Sequence, residues 1–79
     1  MTPQEISDYK QAWHFSGKFH TYHTHTDVRS EVVAWCKAFS SQEQWHINRY
    51  VEAYTDRIEF EKVEQYEMFR EWYKLRMGA

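Results

Sequence analysis

The chain has 79 residues, fifteen of them aromatic, with two Gly, one Pro, one Cys and a formal net charge of −2 when histidine is neutral. That length supports one hydrophobic core, spanning residues 1–79, and excludes a second domain. No run approaches the roughly 18 to 20 apolar residues that cross a bilayer, and no apolar stretch follows the N-terminus as a secretory signal requires, so the expectation is a chain that makes no use of a membrane and stays in the cytoplasm where it is made.

Thr2-Pro3-Gln4-Glu5 reads as a helix start, with Thr2 as N-cap, Pro3 in the first turn and Glu5 completing a capping box. A short helix is expected, because Trp13 and Phe15 alternate with His14 and Ser16 as in a strand before Gly17. The aromatic and β-branched run Lys18 to Thr24 predicts a strand, ended by Asp27 as the cap of the next element. Val28, Val32, Trp35, Cys36 and Phe39 then recur at the spacing of one helix face, predicting a helix from Asp27 to Phe39.

Residues 44–61 admit two readings. Ile47, Val51, Tyr54 and Ile58 fit a helix, whereas Arg57-Ile58-Glu59-Phe60-Glu61 alternates strictly and favours two short strands near 44–49 and 54–61. On the strand reading Tyr54, Ile58 and Phe60 face the core, and Thr55, Arg57, Glu59 and Glu61 face water. A last helix is set by Val63, Tyr66, Phe69 and Tyr73 on one line and Met68, Trp72 and Leu75 on another. Glutamates lie early, Lys74 and Arg76 late, and Gly78 is a stop.

The predicted fold is α+β: a small three-stranded antiparallel sheet with two helices, in the order βαββα, plus a short N-terminal helix. This is a truncated ferredoxin-like arrangement lacking its last strand; an all-α chain is the alternative. The missing strand leaves a sheet edge that a second copy can cover, so a homodimer is expected. With one Leu, three Ile and five Val, aromatic rings must form most of the core. Residues 1–51 carry five Lys/Arg and five Asp/Glu, and residues 52–79 carry five and seven, so the charge footprint of a duplex DNA binder is missing.

Two segments carry a resemblance. Phe15-Ser16-Gly17-Lys18-Phe19 leading into Thr24-His25-Thr26-Asp27-Val28-Arg29-Ser30-Glu31, and Ile58-Glu59-Phe60-Glu61 followed by Tyr66, Phe69 and Trp72, resemble small uncharacterised accessory proteins of large tailed phages, including those that infect cyanobacteria. In that group an alternating strand ending in an aromatic and Glu runs into an acidic helix start and then an aromatic and Trp. Phe69-Arg70-Glu71-Trp72 holds those places, while Lys62-Val63-Glu64 replaces the acidic pair. The resemblance covers roughly half the chain. It implies a phage origin, and proteins of this size in that group generally bind other proteins, either host machinery or virion components.

Three constellations bear on chemistry. His20, His23, His25 and Asp27 form a histidine cluster; on a strand His23 and His25 share a face, and Asp27 or His46 supplies a third ligand for a zinc-like site, set against a plain solvent-facing role or a pH-responsive surface. Lys18, Phe19, His20, Tyr22 and His23 with Trp45, Arg49 and Tyr50 offer rings for stacking on single-stranded nucleic acid. Cys36 lies on an apolar helix face, as a small hydrophobe rather than a nucleophile, and it fits a reducing compartment because it has no partner for an internal disulfide.

No phosphate loop or nucleophile elbow occurs, and the expected role is non-enzymatic. The aromatic surplus favours protein binding, with Tyr22, Trp45, Tyr50, Trp72 and Tyr73 as contact residues.

Overall fold

A computed structural model describes residues 1–78. In chain order it contains helix α1 (Pro3–Ser16), strand β1 (His20–His25), helix α2 (Arg29–Phe39), strands β2 (Trp45–Glu52) and β3 (Thr55–Phe60), and helix α3 (Val63–Arg76), with single 3-10 turns before α2 and before β2. The three strands form one antiparallel sheet in the order β1-β3-β2. Because α2 carries the chain from β1 to β2 with β3 between them, the unit is the split βαβ arrangement expected, and the all-α alternative is excluded.

Helix α1 is longer than the sequence pattern suggested. Its N-terminus is the expected capping box: the Thr2 side chain accepts from the Glu5 N–H at 3.2 Å and the Glu5 carboxylate accepts from the Thr2 N–H at 3.0 Å. The helix then continues through the segment Trp13 to Ser16 that alternates like a strand, and ends where Gly17 turns into the left-handed region at φ 73°. Tertiary packing decides this. Trp13 is buried, its ring lies against Phe19, and its indole N–H donates to the Glu43 carbonyl at 2.9 Å.

The register divides β3 between two surfaces. Trp45 and His20 pair with Phe60, and Ile47 and Tyr22 with Ile58, so these side chains share the face covered by α2 and α3. Val32, Trp35, Cys36, Trp45, Ile58, Phe60 and Phe69 make the core there. Its rings meet edge-on or tilted: Trp35 to Phe69 at 5.4 Å between centroids, Phe60 to Phe69 at 5.2 Å. Each buried ring contributes roughly 1.5–3 kcal/mol through area removed from water, and each such pair about 0.5–1.5 kcal/mol more.

Arg57 and Glu59, with His46 and Asn48 beside them on β2, point to the other face, over which α1 lies. The expectation that Glu59 meets water is therefore corrected: it is 1% exposed, because α1 roofs a face that a two-helix fold would leave open. Tyr54 is corrected in the opposite sense. It sits in the β2–β3 turn at φ 64°, 71% exposed, and takes no part in the core.

Candidate functional site

The histidine cluster is dispersed by the way its strand ends. His25 Nδ1 accepts the Asp27 N–H at 3.2 Å and so caps the 3-10 turn Thr26–Val28, the place that Asp27 was expected to fill at the start of α2. The His25 ring stacks on Tyr54, and its backbone N–H donates to the Tyr73 hydroxyl at 2.8 Å. His20 points to the opposite face, against Tyr66. Among the described residues no three His, Cys, Asp or Glu side chains are grouped to hold a metal ion, so His23, His25 and Asp27 are not brought together as a zinc site.

The proposed base-stacking platform is divided in the same way. Tyr22 lies edge-on to Phe69 and Tyr73 beneath α3, Phe19 stacks with His14 under α1, and Trp45 is in the core. No common face presents these rings. Cys36 is fully buried, and burial pushes its thiol up to about 12, which leaves it without nucleophilic character.

Of the five expected contact residues, Trp45 requires correction. It is only 6% exposed, because its register partner Phe60 draws it into the core. Tyr22 and Tyr73 are half-buried between sheet and α3. Tyr50 is exposed but immobilised: it occupies a bulge of β2 at φ 57°, the Arg29 guanidinium lies 4.3 Å from its ring centroid, and its hydroxyl accepts from Arg29 at 3.0 Å. Trp72 stacks on Trp35 at 5.9 Å, between α2 and α3.

That last position leads to a groove. Between α2 and α3 a shallow apolar trough of about 520 Å³ is lined by Trp35, Phe39, Met68, Glu67 and Glu71. Phe39 and Met68 are 59% and 54% exposed, and Leu75, seven residues beyond Met68 and so on the same side of α3, is 78% exposed. Glu64, Glu67 and Glu71 make an acidic margin along this helix, while Arg76 is already paired with Glu31 across the α2–α3 junction. The sequence carried a signal for this surface, since Met68, Trp72 and Leu75 form a second apolar line on α3. Phe39 falls by spacing on the core-facing stripe of α2, yet it lies at the rim of the groove.

A second recess lies between α1 and the sheet. It measures about 270 Å³ and is lined by Ser7, Lys10, Gln11, Trp13, His14, His46, Asn48 and Glu59. His14 Nδ1 is 3.3 Å from one Glu59 oxygen and Arg57 Nε is 3.3 Å from the other. Burial holds His46 below the usual imidazole range, helped by the nearby Lys10 charge, and burial also lowers Lys10. Sequence does not reveal this recess, because its residues come from α1, β2 and β3 and the end of α1, Trp13 to Ser16, alternates like a strand.

Compared with known proteins, the chain matches no family model, no curated protein and no solved structure. Among the described residues no helix is long and apolar enough to cross a membrane.

Proposed function

We propose that this chain is a non-enzymatic accessory protein of a tailed phage that binds a host or phage protein in the groove between α2 and α3. The observation that carries this reading is the exposure of Phe39, Met68 and Leu75 beside a Trp35–Trp72 stack, along an acidic margin. Exposed apolar side chains gathered over an aromatic floor are costly in water and useful in an interface. Carboxylates along one side select the partner: an amphipathic segment with a large apolar anchor flanked by Lys or Arg fits both the trough and its charge.

The outer edge of β1 supports the homodimer. Along an antiparallel strand outward N–H groups alternate, and since His25 directs its own to Tyr73, those of Thr21 and His23 share that direction beyond the ladder. A second copy adds a strand there.

Capture from a host lysate by the tagged protein, with nuclease treatment, tests the reading when run beside Phe39→Asp and Met68→Lys. Both side chains are exposed, so the variants keep the fold. A stoichiometric protein held through nuclease, released by salt and lost with both variants is the expected result. Capture that both variants leave intact removes the groove from the interface, and nucleic acid in its place moves the reading to single-strand binding.

A further inference from the structure

The recess between α1 and the sheet has a donor-rich surface. Lys10 contributes an ammonium, Asn48 an amide nitrogen that is buried and without a hydrogen-bond partner, Ser7 and Gln11 further donors, and His14 and His46 two imidazoles on opposite walls. One carboxylate, that of Glu59, lines the recess as well. Both its oxygens are closed off from solvent, with the His14 ring on one side and Arg57 on the other. The Glu59 carboxylate beside Nδ1 fixes the His14 ring, and the other ring nitrogen remains for a ligand. Trp13 supplies an apolar wall, and the Lys10 ammonium is placed over the Trp45 ring at 5.5 Å.

We propose that this recess binds a phosphoryl oxyanion, as inorganic phosphate or the terminal group of a small phosphate monoester, held by Lys10, His14, His46 and Asn48. Two imidazoles, an ammonium and an unpartnered amide N–H are donors of the kind phosphate oxygens accept from, and charge-assisted bonds are the strong ones. Binding takes up protons. In the recess His46 faces Lys10 and His14 from α1, Asn48 from its own strand and Glu59 from β3, with Glu43 close to Lys10, and the balance disfavours its cation. An anion between the two rings reverses that balance.

The test follows the imidazole ring protons by NMR during titration with inorganic phosphate and, separately, with a nucleoside monophosphate, at constant ionic strength set with chloride. Saturable shifts at His14 and His46, absent at the exposed His23 and His25, are expected, and affinity rises as pH falls from about 7.5 to about 6. Lys10→Gln, whose helical spectrum should match the parent, weakens binding about tenfold or more. His23→Gln leaves it unchanged. Equal affinity for the two probes places recognition in the phosphoryl group alone, and tighter binding of the monoester adds the Trp13 wall. Shifts without saturation, equal shifts at His23 and His25, or affinity indifferent to Lys10→Gln overturns the proposal.

Discussion

Arg29 and Asp56 form a bidentate pair, with Nε and Nη2 of the guanidinium donating to the two carboxylate oxygens at 2.7 and 2.9 Å. Asp56 is fully buried and also accepts the Tyr50 N–H at 3.0 Å, so a single carboxylate ties the start of α2 to β3 and fixes the bulge of β2. Asp56→Asn keeps the shape but cannot accept at both positions. Its melting temperature should fall by on the order of 10 °C, measured by circular dichroism.

The same pair sets the acid limit of the fold. Hydrogen bonds from Arg29, then the Tyr50 N–H, hold the Asp56 carboxyl below its ordinary value. A group lowered in the folded state contributes stability that is complete above its unfolded pKa, near 4, and lost as pH falls through the lower folded value. Urea midpoints should therefore decline below about pH 4, and more steeply in the parent than in Asp56→Asn.

His46 acts at milder pH. Its folded pKa is lowered, chiefly by burial, so the unfolded chain takes up the proton first. Its contribution is complete above about pH 6.5 and is lost as pH drops toward the folded value. In the absence of phosphate, His46→Asn should reduce the loss of stability between about pH 7 and 5.5, read as the change in urea midpoint.

Tyr54 carries a backbone cost without a compensating burial. A left-handed tyrosine costs roughly 1–2 kcal/mol, and Asn adopts that region with less strain. Tyr54→Asn should raise stability by about 0.5–1 kcal/mol despite losing the His25 stack, which corresponds to a melting temperature higher by about 4 °C.

The core gives the opposite sign. Phe69 touches Trp35, Phe60, Tyr22, Trp72 and Tyr73, and is fully buried. Phe69→Ala should cost about 3–5 kcal/mol, enough to abolish the thermal transition of a domain this small.

The legible parts of this fold are those where one physical signal dominates. The face Val32, Trp35, Cys36 recurs at helical spacing, and Ile58 and Phe60 alternate toward the same core, so α2 and β3 follow from periodicity. Trp13 and Phe15 mislead because alternation over so few residues is weak, and a capped helix that can bury an indole overrides it. The burial of Glu59 is hidden from the sequence for a related reason: alternation states which side a residue faces and is silent about what covers that side. The groove was half visible in Met68 and Leu75. The α1 recess was not visible, since Lys10, His46 and Glu59 are far apart in sequence and meet only when α1 lies over the sheet.

The unequal dressing of the two sheet faces has a dynamic consequence. Under α2 and α3 the contacts are largely aromatic and apolar, whereas α1 is held by one buried indole, the Tyr9 hydroxyl donating to Glu61, and polar neighbours. Local opening takes the weakest layer first. Amide hydrogens of α1 should exchange through a partial opening well below the global unfolding free energy, while those of β3 await complete unfolding. On that expectation an inner body persists while α1 opens, and its departure uncovers His46, Asn48 and Glu59 together.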